Sequence, residues 1–341
     1  MHSWEGAARE GEAENDRVVP LKSGIESARP ASSAISATGH ARQTARPLLA
    51  SPVPWLQRHY ENLEVEYDPR ARALWYHMRP VDRPSFTPGL LRDIRLFQRT
   101  VVETFKAGSG PLPAQYLVLA SRMNGVFNLG GDLRLLAQMI RARDAAGLQT
   151  YADACIAVLY PNAVDLDLPV VTISLVQGDA LGGGFEAAIS SKIVVAERCA
   201  KFGLPEVLFN LFPGMGAYSL LSRRIGPAAA ERMILSGRIY TAAELYEMGI
   251  VDILAENGKG MEAVNDFIDR SDKRFDARLA VYRTRQCINP ITFDELSAVA
   301  RIWVETAMGR SESDLRRIDR LAQSQSKRWE QIHTEETLRI V

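Results

Sequence analysis

The sequence predicts an α/β fold built from repeated strand–loop–helix units and closed by a helical C-terminal region. Three observations predict it. Short β-branched apolar runs recur, and each leads through a glycine-bearing loop into a helix-forming segment. The chain has 341 residues, enough to bury a sizeable core, yet no apolar run approaches the roughly 18 residues that span a bilayer. From about residue 256 onward, apolar residues fall at helical spacing only.

The elements follow in order. Residues 1–50 are rich in Ala, Ser, Gly, Arg and Glu, a composition that cannot bury enough surface to offset chain entropy, so a disordered tail is expected. A misassigned start codon would account for the same stretch. Leu63–Tyr67 and Ala73–Met78 read as paired strands around a turn at Asp68-Pro69-Arg70. Thr87–Phe105 carries Leu90, Leu91, Ile94, Leu96, Phe97 and Val101 at helical spacing. The strand Tyr116–Ser121 runs into the loop Asn128-Leu129-Gly130-Gly131 and a helix near Asp132, which suits an N-cap. A second unit repeats this order: strand Val170–Val176, the glycine-rich run GDALGGGFEAA at 178–188, and a helix over Phe185–Ser191. A third strand, Ile193–Ala196, follows. Residues 51–255 thus form the repeat core. Residues 256–341 read as four helices, Met261–Ser271, Phe275–Cys287, Phe293–Met308 and Ser313–Trp329. The last places Leu315, Ile318, Leu321 and Ala322 on one face, as though for a neighbouring subunit.

Composition narrows the function. Net charge is zero, so nothing global attracts nucleic acid or an anionic membrane. The N-terminus lacks a basic stretch followed by an apolar one, so no secretory signal is expected. Cys155, Cys199 and Cys287 are scattered and odd in number, and read as reduced structural cysteines in a cytoplasmic protein; a catalytic thiol is the lesser reading. All five histidines lie outside residues 78–332. The middle of the chain, 78–332, therefore has no imidazole base and no imidazole metal ligand, and a Ser-His-Asp triad there is not expected. Carboxylates and backbone amides remain for chemistry.

The glycine run concentrates both. A strand feeding a glycine turn into a helix start leaves N–H groups without intrahelical partners, and these suit a developing oxyanion. Glu186 sits one turn inside that helix, and Glu206 follows in Gly203-Leu204-Pro205-Glu206. Such a set can do proton chemistry beside a thioester carbonyl. Bland readings exist for each. A glutamate in a first helical turn is often only a dipole partner. Glu206, after Pro205, fits a helix-start carboxylate. Three consecutive glycines, however, cost chain entropy unless backbone must approach something closely. Arg223 and Arg224 read as a solvated surface pair rather than a carrier-protein contact.

Five motifs in order carry a family resemblance: FNLGGDL at 127–133, ALGGGFE at 180–186, FGLPEV at 202–207, PGMGAYSLLSRRIG at 213–226 and SGRIYTAAELYEMGIVD at 236–252. Together they resemble the crotonase (enoyl-CoA hydratase/isomerase) superfamily. GDALGGGFEAA, FGLPEVLFNLFPGMGAYS and the C-terminal WVETAM and LRRIDRLAQSQSKR are similar to one branch, the bacterial diffusible signal factor synthases, over about residues 57–330. The resemblance implies a spiral of strand-strand-helix turns with a C-terminal helical oligomerisation region, in a trimer or a pair of trimers. It implies Glu186 and Glu206 as acid and base, with no assignment between them. It implies oxyanion donors at the Gly183 and Asn128 amides, with Leu129, Gly130 and Gly182 as neighbours of the oxyanion loop. It calls for no cofactor and no metal. The implied reaction dehydrates a 3-hydroxyacyl thioester and hydrolyses it to release a cis-2-unsaturated fatty acid signal. The stretch Ser121–Val126 departs from the Gly/Lys-rich string of many CoA users, which favours an acyl carrier protein over CoA. An inhibitory membrane sensor kinase is the further partner implied. A plain enoyl-CoA hydratase or isomerase is the competing enzyme, and a non-catalytic crotonase-fold binding partner the competing class.

Overall fold

The computed structural model describes residues 58–108 and 114–340, so the expected disordered tail lies outside the described residues. Its strands, among the described residues, are β1 (Leu63–Asp68), β2 (Ala73–Met78), β3 (Tyr116–Ser121), β4 (Val126–Asn128), β5 (Val171–Val176), β6 (Asp179–Leu181), β7 (Ile193–Glu197), β8 (Lys201–Gly203), β9 (Ile239–Thr241) and β10 (Ile253–Ala255). They form two sheets. The larger runs β1-β2-β3-β5-β7-β10 and the smaller β4-β6-β8-β9.

The larger sheet starts from a local turn. Asp68 accepts the N–H groups of Arg70 and Ala71 at 2.8 and 3.2 Å, and β1 and β2 pair antiparallel with Leu63 opposite Met78. From β2 onward the sheet is parallel. Parallel strands covered on both faces need continuous apolar sequence rather than alternation. VTISLV of β5 and IVVAE of β7 are buried at every position, and even Thr172 and Ser174 find internal partners in Asp165 and Ser191.

The helices between strands cover these faces. They are α1 (Pro88–Ala107), α2 (Leu133–Arg141), α3 (Ala145–Ala163), α4 (Gly183–Ser190), α5 (Ala217–Ile225), α6 (Pro227–Ser236), α7 (Ala242–Glu247), α8 (Gly260–Ser271), α9 (Phe275–Ile288), α10 (Phe293–Met308) and α11 (Glu312–Ile340). Thr87 caps α1 by accepting the Leu90 N–H at 3.2 Å. Asp132 caps α2 in the same way through Leu135, as its sequence position suggests. Helix α4 begins at Gly183, two residues before the sequence reading. Gly182 turns the chain at φ +51, and its carbonyl already accepts the Glu186 N–H at 3.1 Å.

Helix α11 also differs from expectation. It extends to Ile340, and it packs on its own chain. Leu315, Ile318 and Ala322 are buried within this subunit. Arg141 of α2 grips Glu312 and Asp319 of α11 at 3.0 and 2.8 Å, and Arg134 donates to Ser326 Oγ at 2.8 Å. The apolar face read as reserved for a neighbour is thus taken up internally. Arg223 and Arg224 are likewise no solvated pair. Arg223 meets Glu295 at 2.7 Å, and Arg224 lies against Asp252 and the Ser191 carbonyl. Among the described residues no helix is long and apolar enough to cross a membrane.

Candidate active site

The smaller sheet delivers the site. Its first three strands are parallel, and each ends at a functional segment. Strand β4 ends at Asn128 and gives the turn Leu129-Gly130-Gly131. Strand β6 ends at Leu181 and gives Gly182 and the start of α4. Strand β8 ends at Gly203 and leads through Leu204 to a 3-10 turn, Pro205–Phe209, that carries Glu206. Ligand sites in open α/β sheets form outside the carboxyl ends of strands for this reason.

Glycine makes the approach possible. Gly130 sits at φ +93, and a Cβ there would come within 2.8 Å of Leu181 O and 3.1 Å of Gly183 N. A Cβ on Gly184 would stand 2.0 Å from Asn128 O. The two glycine loops therefore touch, and α4 seats against the end of β4. Between them lies a cavity of about 280 Å³, walled mainly by apolar side chains such as Leu133, Leu136, Phe209, Met215, Trp303 and Leu321.

Glu186 and Glu206 both face this cavity, in different surroundings. Glu186 is 1% exposed. Its Oε1 accepts the N–H groups of Met215 and Ala217, each at 2.8 Å. Burial pushes its carboxyl upward, while the backbone N–H groups of Ala217, Met215 and Gly216 pull back toward the charged form. Glu206 is half-buried, and its Oε2 is shielded from solvent with no hydrogen-bond partner among the described residues. Burial and then the charge of Glu186 push its carboxyl upward. Burial thus favours the neutral form of both carboxyls, opposed at Glu186 by its backbone hydrogen bonds and reinforced at Glu206 by the neighbouring Glu186 charge. Two carboxyl groups pushed apart by their environments are the arrangement from which acid and base roles arise.

Known proteins share part of this sequence and this fold. Residues 110–264 match the enoyl-CoA hydratase/isomerase family. The mitochondrial methylglutaconyl-CoA hydratase of Rattus norvegicus is 33% identical over 154 residues, covering 45% of this chain and 47% of that protein. The cyclohexa-1,5-dienecarbonyl-CoA hydratase of Thauera aromatica is 32% identical over 168 residues, 48% of this chain and 64% of that one. The chain spans about half the length of the rat relative it matches. The crystal structure of an enoyl-CoA hydratase from Bacillus halodurans superposes with a TM-score of 0.61 at 19% identity, over 76% of this chain and 99% of that one. The solved structure of Pseudomonas aeruginosa DspI gives 0.53 at 22%, over 67% of this chain and 80% of that one. The fold is that of the crotonase superfamily.

Within the crotonase frame, most sequence-predicted residues come together and one does not. Gly183, Gly182, Leu129, Gly130, Glu186 and Glu206 all line the cavity. The Gly183 N–H stands at the first position of α4, where no intrahelical acceptor exists. Asn128 is different. It lies in β4, 1% exposed, behind the loop and outside the cavity wall. Its side chain instead holds the loop: Oδ1 accepts the Gly130 N–H at 2.8 Å. The Leu129 N–H is held by Pro84 O at 2.7 Å, and the Gly182 N–H by Gly203 O at 2.8 Å. Gly131 lines the cavity, and its N–H has no acceptor among the described residues.

Other cavity residues escaped the sequence reading. Tyr151 and Cys155 of α3 reach the cavity beside Glu186. The Tyr151 hydroxyl accepts the Asp132 N–H at 2.9 Å and donates to Phe86 O at 2.8 Å, tying three segments together. Burial pushes the Cys155 thiol up to about 12, so it stays protonated, as a structural cysteine does. Trp303 of α10 lies over Gly214, where a Cβ would meet its ring at 2.4 Å. Gln325 and Arg328 arrive from α11. No local pattern marks these residues, because α3, α10 and α11 meet only in the folded chain.

Proposed function

We propose that the protein interconverts 2-enoyl and 3-hydroxyacyl thioesters by adding or removing water. The observation that carries this reading is the unequal carboxyl pair facing one apolar cavity beside the helix-start amide of Gly183. The thioester carbonyl oxygen would take the Gly183 and Gly131 N–H groups. Those dipoles would hold the charge of the enolate-like state, and losing one such donor typically costs about 3 kcal/mol.

For hydration the unequal hydrogen bonding favours Glu186 as the base and Glu206 as the acid. Glu186, ionised, takes a proton from water as its oxygen bonds to C3. Glu206, protonated, gives its proton to C2, and the electron pair of the double bond forms that C–H bond through the enolate. Dehydration runs the same steps backward and starts from the other arrangement, Glu206 ionised and Glu186 protonated.

A finer reading rests on one further observation. The motif FGLPEVLFNLFPGMGAYS, which carries the likeness to signal synthases, supplies Pro205, Glu206, Phe209, Leu211, Gly214 and Met215 to the cavity wall. Glu206 stands near its start, and Met215 and Ala217 near its end bond Glu186. On this reading the substrate is a 3-hydroxyacyl group on a carrier protein in the cytoplasm. Dehydration is followed by attack of water on the same thioester carbonyl, which expels the carrier thiol and frees a cis-2-unsaturated acid. Purified protein incubated with 3-hydroxydodecanoyl carrier protein and with 3-hydroxydodecanoyl-CoA, analysed by mass spectrometry, tests both. Enoyl thioester alone supports the hydratase reading, and free cis-2-dodecenoic acid supports the finer one. No turnover of either thioester would overturn both.

A further inference from the structure

The C-terminal helix reaches the active-site turn through one side-chain hydrogen bond. Gln325 of α11 donates from Nε2 to Leu129 O at 2.9 Å, across 196 residues of sequence. That carbonyl and the Gly130 N–H belong to one planar peptide unit. The other polar groups of the turn are held near the site. Leu129 N–H goes to Pro84 O at 2.7 Å, Gly130 N–H to Asn128 Oδ1 at 2.8 Å, and Gly130 O accepts the Phe86 N–H at 2.8 Å. All four backbone groups of Leu129 and Gly130 are thus engaged, and Gln325 supplies the one bond that comes from outside the core.

The turn needs such bonds. Gly130 occupies φ +93, where a glycine has no side chain to restrict it. Hydrogen bonds, rather than sterics, fix the peptide planes there. Helix α11 is a firm anchor, since Arg141 grips it twice and Leu129 and Trp329 pack together on Met123 and Val126. We infer that Gln325 is a positioning residue: it fixes the Leu129–Gly130 peptide plane, and through it aims the following Gly131 N–H at the thioester carbonyl. The inference rests on the proposed thioester chemistry for its purpose, but not for its geometry.

Two readouts test it in the full-length protein. Gln325→Met keeps the length of the side chain and removes the donor. It should lower kcat about tenfold while KM changes less than twofold, and hydrogen exchange in the segment 126–132 should speed up about tenfold. Gln325→Glu, which turns an acceptor toward the carbonyl, should act in the same direction. Gln323→Met, on the exposed side of the helix, should change neither readout. If the wild-type protein turned over no thioester, the proposed function would fall, and the exchange rates alone would decide the role of Gln325. Unchanged exchange in Gln325→Met, or a raised KM with kcat intact, would overturn the inference.

Discussion

The two sheets of this molecule divide stability from chemistry. The larger sheet has strands of five or six residues over most of its width, buried throughout at β2, β5 and β7. The smaller has strands of three residues, β4 buried throughout and β6 and β8 only in part. Yet it is the carboxyl ends of β4, β6 and β8 that carry the Leu129–Gly131 turn, Gly182 with α4, and Glu206. A short strand can stop wherever a loop must begin, so it aims a loop accurately while the larger sheet supplies the rigidity behind it. The difference teaches where substitutions should fall: in one sheet on stability, at the ends of the other on turnover.

The sharpest break in that comparison comes from the carboxylates. Glu186→Gln and Glu206→Gln should each lower turnover about a hundredfold or more, the usual worth of a positioned acid or base. Thermal stability should hold or rise, because each change removes a buried ionisable group. Steady-state kinetics together with calorimetry check both halves. In the larger sheet, Ile173→Ala should cost about 2–5 kcal/mol of unfolding free energy through a core cavity. The folded fraction should keep its kcat, read from denaturant melts and kinetics at low temperature.

Gly130→Ala probes the junction of the two regions. Its Cβ would press on Leu181 O from a backbone angle that side chains rarely adopt. A loss of about 1–3 kcal/mol is expected, together with a fall in kcat that Ile173→Ala lacks.

The smallest effect is in pH. The folded-state carboxyl values of Glu186 and Glu206 are raised by burial, and Glu206 also by the charge of Glu186. A raised carboxyl binds its proton more tightly folded than unfolded. Its stabilising contribution is full below the ordinary carboxyl value and is lost as pH rises through the raised value. Melting temperature should therefore decline across that window, and Glu206→Gln should flatten the decline.

Much of this was legible beforehand, and the residues show why. The strands Tyr116–Ser121 and Val171–Val176 announce themselves as unbroken β-branched runs, and Glu186 and Glu206 sit in motifs whose glycines have a backbone purpose. Helix α3 is not legible, because apolar residues run round most of it, with Ala154, Ala157 and Tyr160 half-buried beside the buried face, and set no clear period. Tyr151 and Cys155 were lost with it. At Asn128 the motif marks the segment, and the structure adds that its side chain holds the turn from behind, Oδ1 accepting the Gly130 N–H. The Gln325 bond depends on how a helix nearly two hundred residues away docks, which no local pattern encodes.

The most direct test of the central claim, that the carboxyl pair moves protons at C2 and C3 of a thioester, is isotopic. A 2-enoyl thioester incubated with the full-length protein in deuterated water should yield a 3-hydroxyacyl product carrying one deuterium at C2. Glu206→Gln should abolish that label. Product formed with no label at C2, or labelling unchanged in both the Glu186→Gln and Glu206→Gln proteins, would contradict the account.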